Sequence, residues 1–461
     1  MTPDYQINDW TGRMWFYSST LAMLAALASP SLLLGQVMPA TDPTTETVPA
    51  PQATWPPLDL AAIEQIALER NPTLVQAGAQ VQISRGKALQ AGLYPNPNLG
   101  YAADQIGAEG TAGEFHGMFV EQQVITGGKL RLSRAKFMQE ASQAQLQVLA
   151  QRHRVLYSVR IAYYKALVQQ RRNQLQNQLL RTSEEAAKTI KELVNVGQAN
   201  RADLLQAEVQ LLKAKANYQV AERRYRGAWE ELAALAGVPD MQPTFLDGSL
   251  ELDSGNGIDR EAALANMLTG SPQLRFAEAE VVRDQIALRR EQVEPIPNLN
   301  LRAETGYNYA AQDTVASIEI GIRVPLFDKN QGTIMQARAE LTRAQAEVGR
   351  VELMLRQRFA QAFTEYETAM LLATAYRADA LPKAEQVYQL YVEAFQQRRA
   401  AWPQVLDAQR EYYELYEEYL DNLVEARRAE ARINAFFLED GLSQPPAPSP
   451  EGHRDATPRP R

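Results

Sequence analysis

The second half of the chain repeats the first at an offset of 200 residues. Leu58, Pro72 and Leu74 fall on Ile258, Pro272 and Leu274, and Pro95, Pro97, Asn98 and Leu99 fall on Pro295, Pro297, Asn298 and Leu299. Val124 falls on Val324, and no gap is needed up to that point. Further on the offset drifts by a residue, so that Leu205 meets Leu406 and Ala207 meets Ala408. Single Ala or Leu matches carry little weight, but a doubled Pro-x-Pro-Asn-Leu at constant spacing is a strong one. A chain that writes one supersecondary unit twice has to pack the two copies together. The expected organisation is a first repeat over 58–240, a linker over 241–257 and a second repeat over 258–442.

Each unit reads as helix, two strands, very long helix, turn, helix. The first helix is expected from Leu60 to Gly92 with a kink at Asn71-Pro72, and its copy from Asp259 to Val293. The prolines at 95, 97, 295 and 297 end these helices and commit the chain to extended structure. From Lys129 to Arg181 there is no proline or glycine, and Ala, Gln, Leu, Arg and Glu dominate. That stretch makes a rod of about 80 Å. Thr182 with Glu185 offers a capping box for a further helix to Val196, and Pro382 marks the same break after a second rod from Gly332 to Ala380. The chain turns near Gly197 and Arg398 and returns over Asp203 to Ala236 and Pro403 to Phe437. The apolar positions of the rods are short, among them Ala141, Ala144, Ala337 and Ala344, while Gln, Arg and Glu are dense. Such arms suit a hollow wall with a wet face; a long antiparallel coiled-coil scaffold or spacer in the periplasm explains the helices equally well.

The strands distinguish the two. Asn298 to Tyr309 sets Leu299, Leu301, Ala303, Thr305, Tyr307 and Tyr309 against Asn300, Arg302, Glu304 and Asn308, and Ser317 to Val324 sets Ile318, Ile320 and Ile322 against Glu319 and Arg323. Strands of about 9–11 residues suit a tilted crossing of an outer membrane; a half-buried strand in a soluble sandwich has the same period. The strands of the first repeat, Asn98 to Gln105 and Glu114 to Val124, alternate less cleanly, and Gln122 stands where the second repeat has Ile322. Four strands cannot close a barrel, for which eight is the smallest common number. Closure needs further copies, and three give twelve strands. The expected fold is mainly α with membrane β: a trimeric 12-stranded β-barrel, four strands per chain, continued by a long α-helical barrel.

The N-terminus reads as a signal peptide over 1–36, with the broken apolar run Leu21 to Leu34 as its core, followed by a Pro/Thr-rich extended segment over 37–57. A disordered tail is expected over 443–461. A net charge of −8 argues against nucleic acid as a partner. With no cysteine there is no disulfide, thiolate metal site, cysteine nucleophile or acylated cysteine. His116, His153 and His453 are scattered, no phosphate-binding loop or nucleophile elbow is present, and paired carboxylates such as Glu184-Glu185 read as solvated helix charge. No catalytic, metal or cofactor site is expected, and no enzyme activity.

The chain resembles the TolC-like outer-membrane efflux protein family over nearly its whole length. The resemblance rests on Pro72 and Pro272, Pro-Asn-Pro-Asn-Leu at 95–99, Gln-Val-Ile-Thr-Gly-Gly-Lys at 123–129 and Val-Pro-Leu-Phe-Asp at 324–328. The two turn segments, Val196-Gly197-x5-Asp203-Leu-Leu and Gln-Val-Leu-Asp-Ala-Gln at 404–409, complete it. It implies a homotrimeric channel-tunnel in the outer membrane with its helices in the periplasm. Such a tunnel works with a periplasmic adaptor (membrane fusion) protein and an inner-membrane pump, in a tripartite efflux or type I export system that passes substrate to the exterior. It further implies adaptor contacts at the tips, here Val196, Gly197, Asp203 and Arg398, the last standing where the family usually has glycine. Gln404, Asp407 and Arg399 are the candidates for a pore constriction, where three symmetry-related carboxylates would gather cations. Leu299, Leu301, Tyr307, Ile318, Ile320 and Ile322 are the expected lipid-facing residues, and without an acylated cysteine the barrel alone has to hold the protein in outer-membrane lipid.

Overall fold

The computed structural model describes residues 58–107, 114–197, 199–251, 257–397 and 399–446. The signal over 1–36, the segment over 37–57, Arg398 and most of the expected tail lie outside the described residues. The first repeat carries α1 (Leu60–Arg70), α2 (Pro72–Ala91), β1 (Asn98–Asp104), β2 (Phe115–Val124), α3 (Lys129–Asn195) and α4 (Arg201–Leu235). The second carries α5 (Arg260–Gly270), α6 (Pro272–Gln292), β3 (Leu299–Asn308), β4 (Asp313–Ile322), α7 (Gln331–Ala375), a π-helical turn (Tyr376–Ala380), α8 (Leu381–Gln396) and α9 (Trp402–Asn434). The duplication in the sequence is thus a duplication of structure.

Proline decides most of the differences from the sequence reading. The kinked first helix of each repeat is two helices. A residue before proline is pushed out of helical geometry, and Asn71 (ψ 120) and Ser271 (ψ 120) both lie in extended backbone. Each then caps the following helix: Asn71 Oδ1 accepts from Thr73 N at 3.0 Å, and the Ser271 side chain accepts from Leu274 N. The expected break at Thr182 is absent, and α3 runs unbroken for 67 residues. With no proline nearby, the Thr182 hydroxyl donates to the Gln178 carbonyl one turn back (3.1 Å) and the helix continues. In the second repeat Pro382 lacks an N–H and its ring crowds the carbonyl four residues earlier, and the chain answers with the π-helical turn before α8.

The four strands form one antiparallel sheet in the order β1-β2-β3-β4, so the central pair joins the two repeats. β4 begins at Asp313 and ends at Ile322, where the alternation alone placed it over Ser317 to Val324. The reason is the hairpin: Asn308 Oδ1 accepts from Ala310 N and Ala311 N, both at 3.0 Å, Gln312 takes a positive φ of 51°, and pairing resumes at once with Asn308 opposite Asp313. The polar Asp313-Thr314 pair hides that start from a hydrophobicity pattern.

The main core gathers α1, α3, α4 and α9 around Ile63, Tyr163, Leu167, Trp229, Leu232 and Leu423. Burying each large side chain there is worth about 1.5–3 kcal/mol. The segment after α4 closes over it. Leu58 bridges Leu246 in parallel, Gln170 Oε1 accepts from Leu246 N (2.9 Å) and its Nε2 donates to Leu246 O (3.0 Å), and Trp229 Nε1 donates to Met241 O (2.8 Å). A second core joins α5, α6, α7 and the end of α9 through Met267, Leu274, Leu355, Phe359, Phe363 and Phe437. The end of the second repeat returns to the first, where Gly441 N donates to Ser158 Oγ (2.8 Å) and Gly441 O accepts from Thr73 Oγ1 and Gln151 Nε2, each at 3.1 Å.

Candidate functional site

Register sorts the strand residues onto two faces. Leu299 stands opposite Ile322, Leu301 opposite Ile320, Ala303 opposite Ile318 and Tyr307 opposite Thr314, so all six residues expected to face lipid share one side of the sheet. The first repeat adds Leu99, Tyr101, Met118 and Val120 to that side. Ile318 and Ile320 are 79% and 69% exposed, far more than an isolated apolar side chain in a packed sheet. Gln122 belongs to this face too, but it sits at the helical end, where its Nε2 donates to the Pro95 carbonyl at 3.0 Å. At the hairpin end, Tyr101, His116, Tyr307 and Tyr309 form an aromatic cluster, with the His116 ring edge-on to Tyr309 at 5.6 Å and Tyr307 edge-on to Tyr309 at 5.0 Å. His116 Nε2 lies 3.0 Å from Glu114.

The opposite face is charged. Glu121, Arg302 and Glu319 fall in one row across β2, β3 and β4. Arg302 reaches Glu304 at 3.0 Å and lies over the Phe119 ring at 4.4 Å, leaving the row with a surplus of carboxylate. Phe119 fits because its cross-strand neighbour is Gly100; a Cβ there would stand 2.5 Å from the ring. β1 and β4 each have one neighbour and present one unpaired edge apiece.

At the far end of the helices the tip residues act first as turn chemistry. Val196 ends α3 and is exposed, and Gly197 takes φ +72°, a left-handed conformation that glycine adopts at least cost. Asn200 and Asp203 form a reciprocal capping box: Asp203 N donates to Asn200 Oδ1 (2.9 Å) and Asn200 N to Asp203 Oδ2 (3.1 Å). In the second tip Gln404 Oε1 accepts from Ala401 N at 3.0 Å, Arg399 N donates to the Ala394 carbonyl at 2.7 Å, and Asp407 is paired with Arg410 one turn along α9. Gln404 and Asp407 line a groove of about 340 Å³ between α8 and α9, together with Val387, Tyr391 and Glu411. Arg399 lies in the turn and does not line it.

The sequence reading missed what holds the two tips together. Phe395 and Trp402, with ring centroids 5.1 Å apart, pack onto Ala187, Ile190, Val194, Ala207 and Leu211 of the first hairpin. Two aromatics flanking a predicted turn were the available signal. Higher up, Arg172 of α3 forks to Glu417 (2.5 Å) and Asp421 (2.7 Å) of α9, a second link between the hairpins. Around the main core, a cavity of about 500 Å³ is lined by Glu64, Arg160, Tyr163, Tyr164, Arg427 and Glu430. Its charges are spent on one another, Arg160 with Glu64 and Arg427 with Glu430 (3.0 Å), and burial raises the Tyr163 phenol to about 12. No group there is poised for acid–base work. Among the described residues no cluster of His, Asp and Glu could hold a metal ion, and no helix is long and apolar enough to cross a membrane.

Residues 63–238 match the family model described as outer membrane efflux protein. The cobalt-zinc-cadmium resistance protein CzcC of Cupriavidus metallidurans is 25% identical over 420 residues, covering 90% of this chain and 98% of that protein. The family match lies within the first repeat, and the likeness to CzcC extends over both repeats. Among solved structures, the CusC channel superposes with a TM-score of 0.66 at 15% identity, covering 86% of this chain and 99% of CusC. The open state of the MtrE channel of Neisseria gonorrhoeae superposes with a TM-score of 0.63 at 18% identity, covering 84% and 90%. The chain shares the fold of these channels. The protein CyaE of Bordetella pertussis is 26% identical over 362 residues, covering 72% of this chain and 75% of that protein.

Proposed function

We propose that three copies close their sheets into one twelve-stranded barrel, and that the helices continue it as a periplasmic tunnel conducting substrate from an inner-membrane pump through a periplasmic adaptor. The observation that carries this reading is the sheet itself: four strands, an apolar face left exposed among the described residues, and an unpaired edge on each side. Open edges are not left in a bilayer, and ring closure by copies removes them while the apolar face is covered by lipid. Ile318, Ile320, Ile322, Leu299, Leu301 and Tyr307 then face lipid, with the Tyr and His cluster at the outer interface. The tips at Val196, Gly197, Asp203 and the turn around residue 398 meet the adaptor, and Gln404, Asp407 and Arg399 stand near the constriction. Conduction is passive, and no residue is assigned a catalytic role.

The metal-resistance relative that the chain spans almost completely makes divalent metal cations the first substrate class to test, and the carboxylate-rich row of Glu121, Arg302 and Glu319 suits cations in transit. The primary experiment is the native mass of protein extracted from outer membranes in detergent, followed by conductance in planar bilayers. A mass of three chains with ion-conducting steps is expected; a detergent-independent soluble monomer would leave a periplasmic scaffold in its place. Loss of cobalt, zinc or cadmium tolerance on deletion, restored by the intact gene, tests the substrate class, and unchanged tolerance removes metals. Asp407→Ala is expected to change cation selectivity, and identical selectivity removes Asp407 from the constriction.

A further inference from the structure

In the first repeat, the joint between β2 and α3 is covered by the residues that lead into β3. Thr126 N donates to Asn298 Oδ1 (3.3 Å) and its hydroxyl to the Pro297 carbonyl, while Lys129 Nζ donates to the Ile296 carbonyl (2.6 Å) and to Asn298 Oδ1 (3.0 Å). Ile125 and Lys129 are buried by this cover. Gly127 leaves room for Ile296, whose Cδ1 lies 3.1 Å from where a Cβ would stand.

Two hundred residues on, the joint between β4 and α7 is longer, running over 323–330 where the first runs over 125–128, and carries the equivalent lysine, Lys329, yet it is exposed. Leu326 is 68% and Phe327 90% exposed, and Lys329 is exposed too. The repeat equivalents of Ile296, Pro297 and Asn298 are Asn96, Pro97 and Asn98, which lie at the other edge of the sheet and are likewise exposed. Side-chain size is exchanged between the two sets. Gly127 meets Ile296 within the chain, and in their repeat equivalents, Phe327 and Asn96, the larger side chain stands on the other member.

We propose that the next copy of this chain completes the second joint, with Lys329 donating to the Asn96 carbonyl and the Asn98 side chain of the partner subunit, and that β4 pairs with the partner's β1 in the register β2 keeps with β3. This rests on the trimer reading above. Val124 pairs with Leu299 and Glu121 with Arg302 inside the chain. The seam therefore sets Val324 opposite Leu99 of the partner subunit and Gly321 opposite Ala102 of the partner subunit. Apolar residues of both edges then stay on the lipid side, which a slip of one residue would reverse. The register also sets Glu319 opposite Asp104 of the partner subunit, a like-charge pair whose cost is held down by the water-filled lumen.

The chain has no cysteine, so disulfide trapping reads the seam cleanly. Tyr309 N donates to Glu114 O at 2.9 Å, which marks 114–309 as a hydrogen-bonded pair. Glu121–Arg302 is therefore of the closer, non-hydrogen-bonded kind, as is its equivalent Gly321–Ala102, a spacing that suits a disulfide. A Cβ on Gly321 meets no atom within 4 Å. On mild oxidation in isolated outer membranes, Ala102→Cys/Gly321→Cys is expected to yield covalent trimers, and the two-residue slip Ala102→Cys/Glu319→Cys to yield almost none. Cross-linking of the slipped pair alone overturns the register. Cross-linking of neither pair, with the native mass still that of three chains, overturns the seam and leaves the trimer standing; a native mass of one chain overturns both. Independently, Lys329→Met should lower the temperature at which trimers separate by several degrees while leaving the helix content of the chain unchanged. An unchanged separation temperature would remove the lysine clamp.

Discussion

Single residues show where charge and backbone conformation are constrained. Arg283 is almost fully buried and lies 2.8 Å from Asp284 and 3.0 Å from Glu280. Burial opposes its charge, but Asp284, Glu280 and Glu140 hold its pKa above the ordinary arginine value. Removing one member of a buried pair strands the other, so Arg283→Leu is expected to cost about 3–5 kcal/mol, read as a fall in the unfolding midpoint of the detergent-solubilised protein. His153 gives a pH dependence. Burial, with Arg152 and Arg160 nearby, lowers its pKa, and its ring stands edge-on to Phe436 at 5.0 Å. The unfolded chain therefore binds a proton at a higher pH than the folded one. The stability that neutral His153 contributes is complete above about pH 6.5 and is lost as pH falls below that value. His153→Phe should flatten this acid slope in thermal melts between about pH 7 and 5; an unaltered slope would place the titration elsewhere. On the sequence His153 reads as a solvated or structural histidine beside Arg152 and Arg154; its partner Phe436 comes from the end of the other repeat, and no local pattern could supply it.

Among the elements, the legible features were those fixed by proline and by periodicity. The duplicated Pro-x-Pro-Asn-Leu located both strand entries, and the proline-free stretch after Lys129 announced the long helix. Less legible were features set by contacts remote in sequence: the cover that Leu246 and Met241 form over the main core, and the packing of Phe395 and Trp402 onto the first hairpin. The Thr182 break failed because a capping box is a permissive signal, and a helix without proline or glycine does not have to use it. Pro382→Ala removes the cause of the π-helical turn, so amides over 376–382 are expected to exchange with deuterium more slowly than in the wild type. Conversely, Thr182→Pro should open α3 at a cost of about 3 kcal/mol or more. Trp402→Ala deletes the aromatic that binds one tip to the other. A larger resting conductance in planar bilayers is the expected outcome, and an unchanged one would mean that Arg172 with Glu417 and Asp421 suffices to hold the hairpins together.

For the whole molecule, the two faces of one sheet make opposite demands. Ile320→Arg places a charge on the face read as meeting lipid and is expected to cost about 2–4 kcal/mol of insertion if it lies near the bilayer midplane. Its neighbour Glu319→Arg, on the charged face, should reach the outer membrane at the wild-type level; equal recovery of the two variants from outer-membrane fractions would deny that the faces differ. The unbroken α3 has a mechanical consequence of its own. Its 67 residues span about 100 Å without a joint. A rod of that length is a lever, and a pivot of only one degree where it leaves the sheet sweeps its far end through about 1.7 Å. In the second repeat the helix also runs on without a gap from α7 to α8, but the π-helical turn over 376–380 interrupts its α-helical hydrogen-bond ladder. Stress applied at the far end thus reaches the sheet through an uninterrupted α-helical ladder in one arm and through a widened turn in the other.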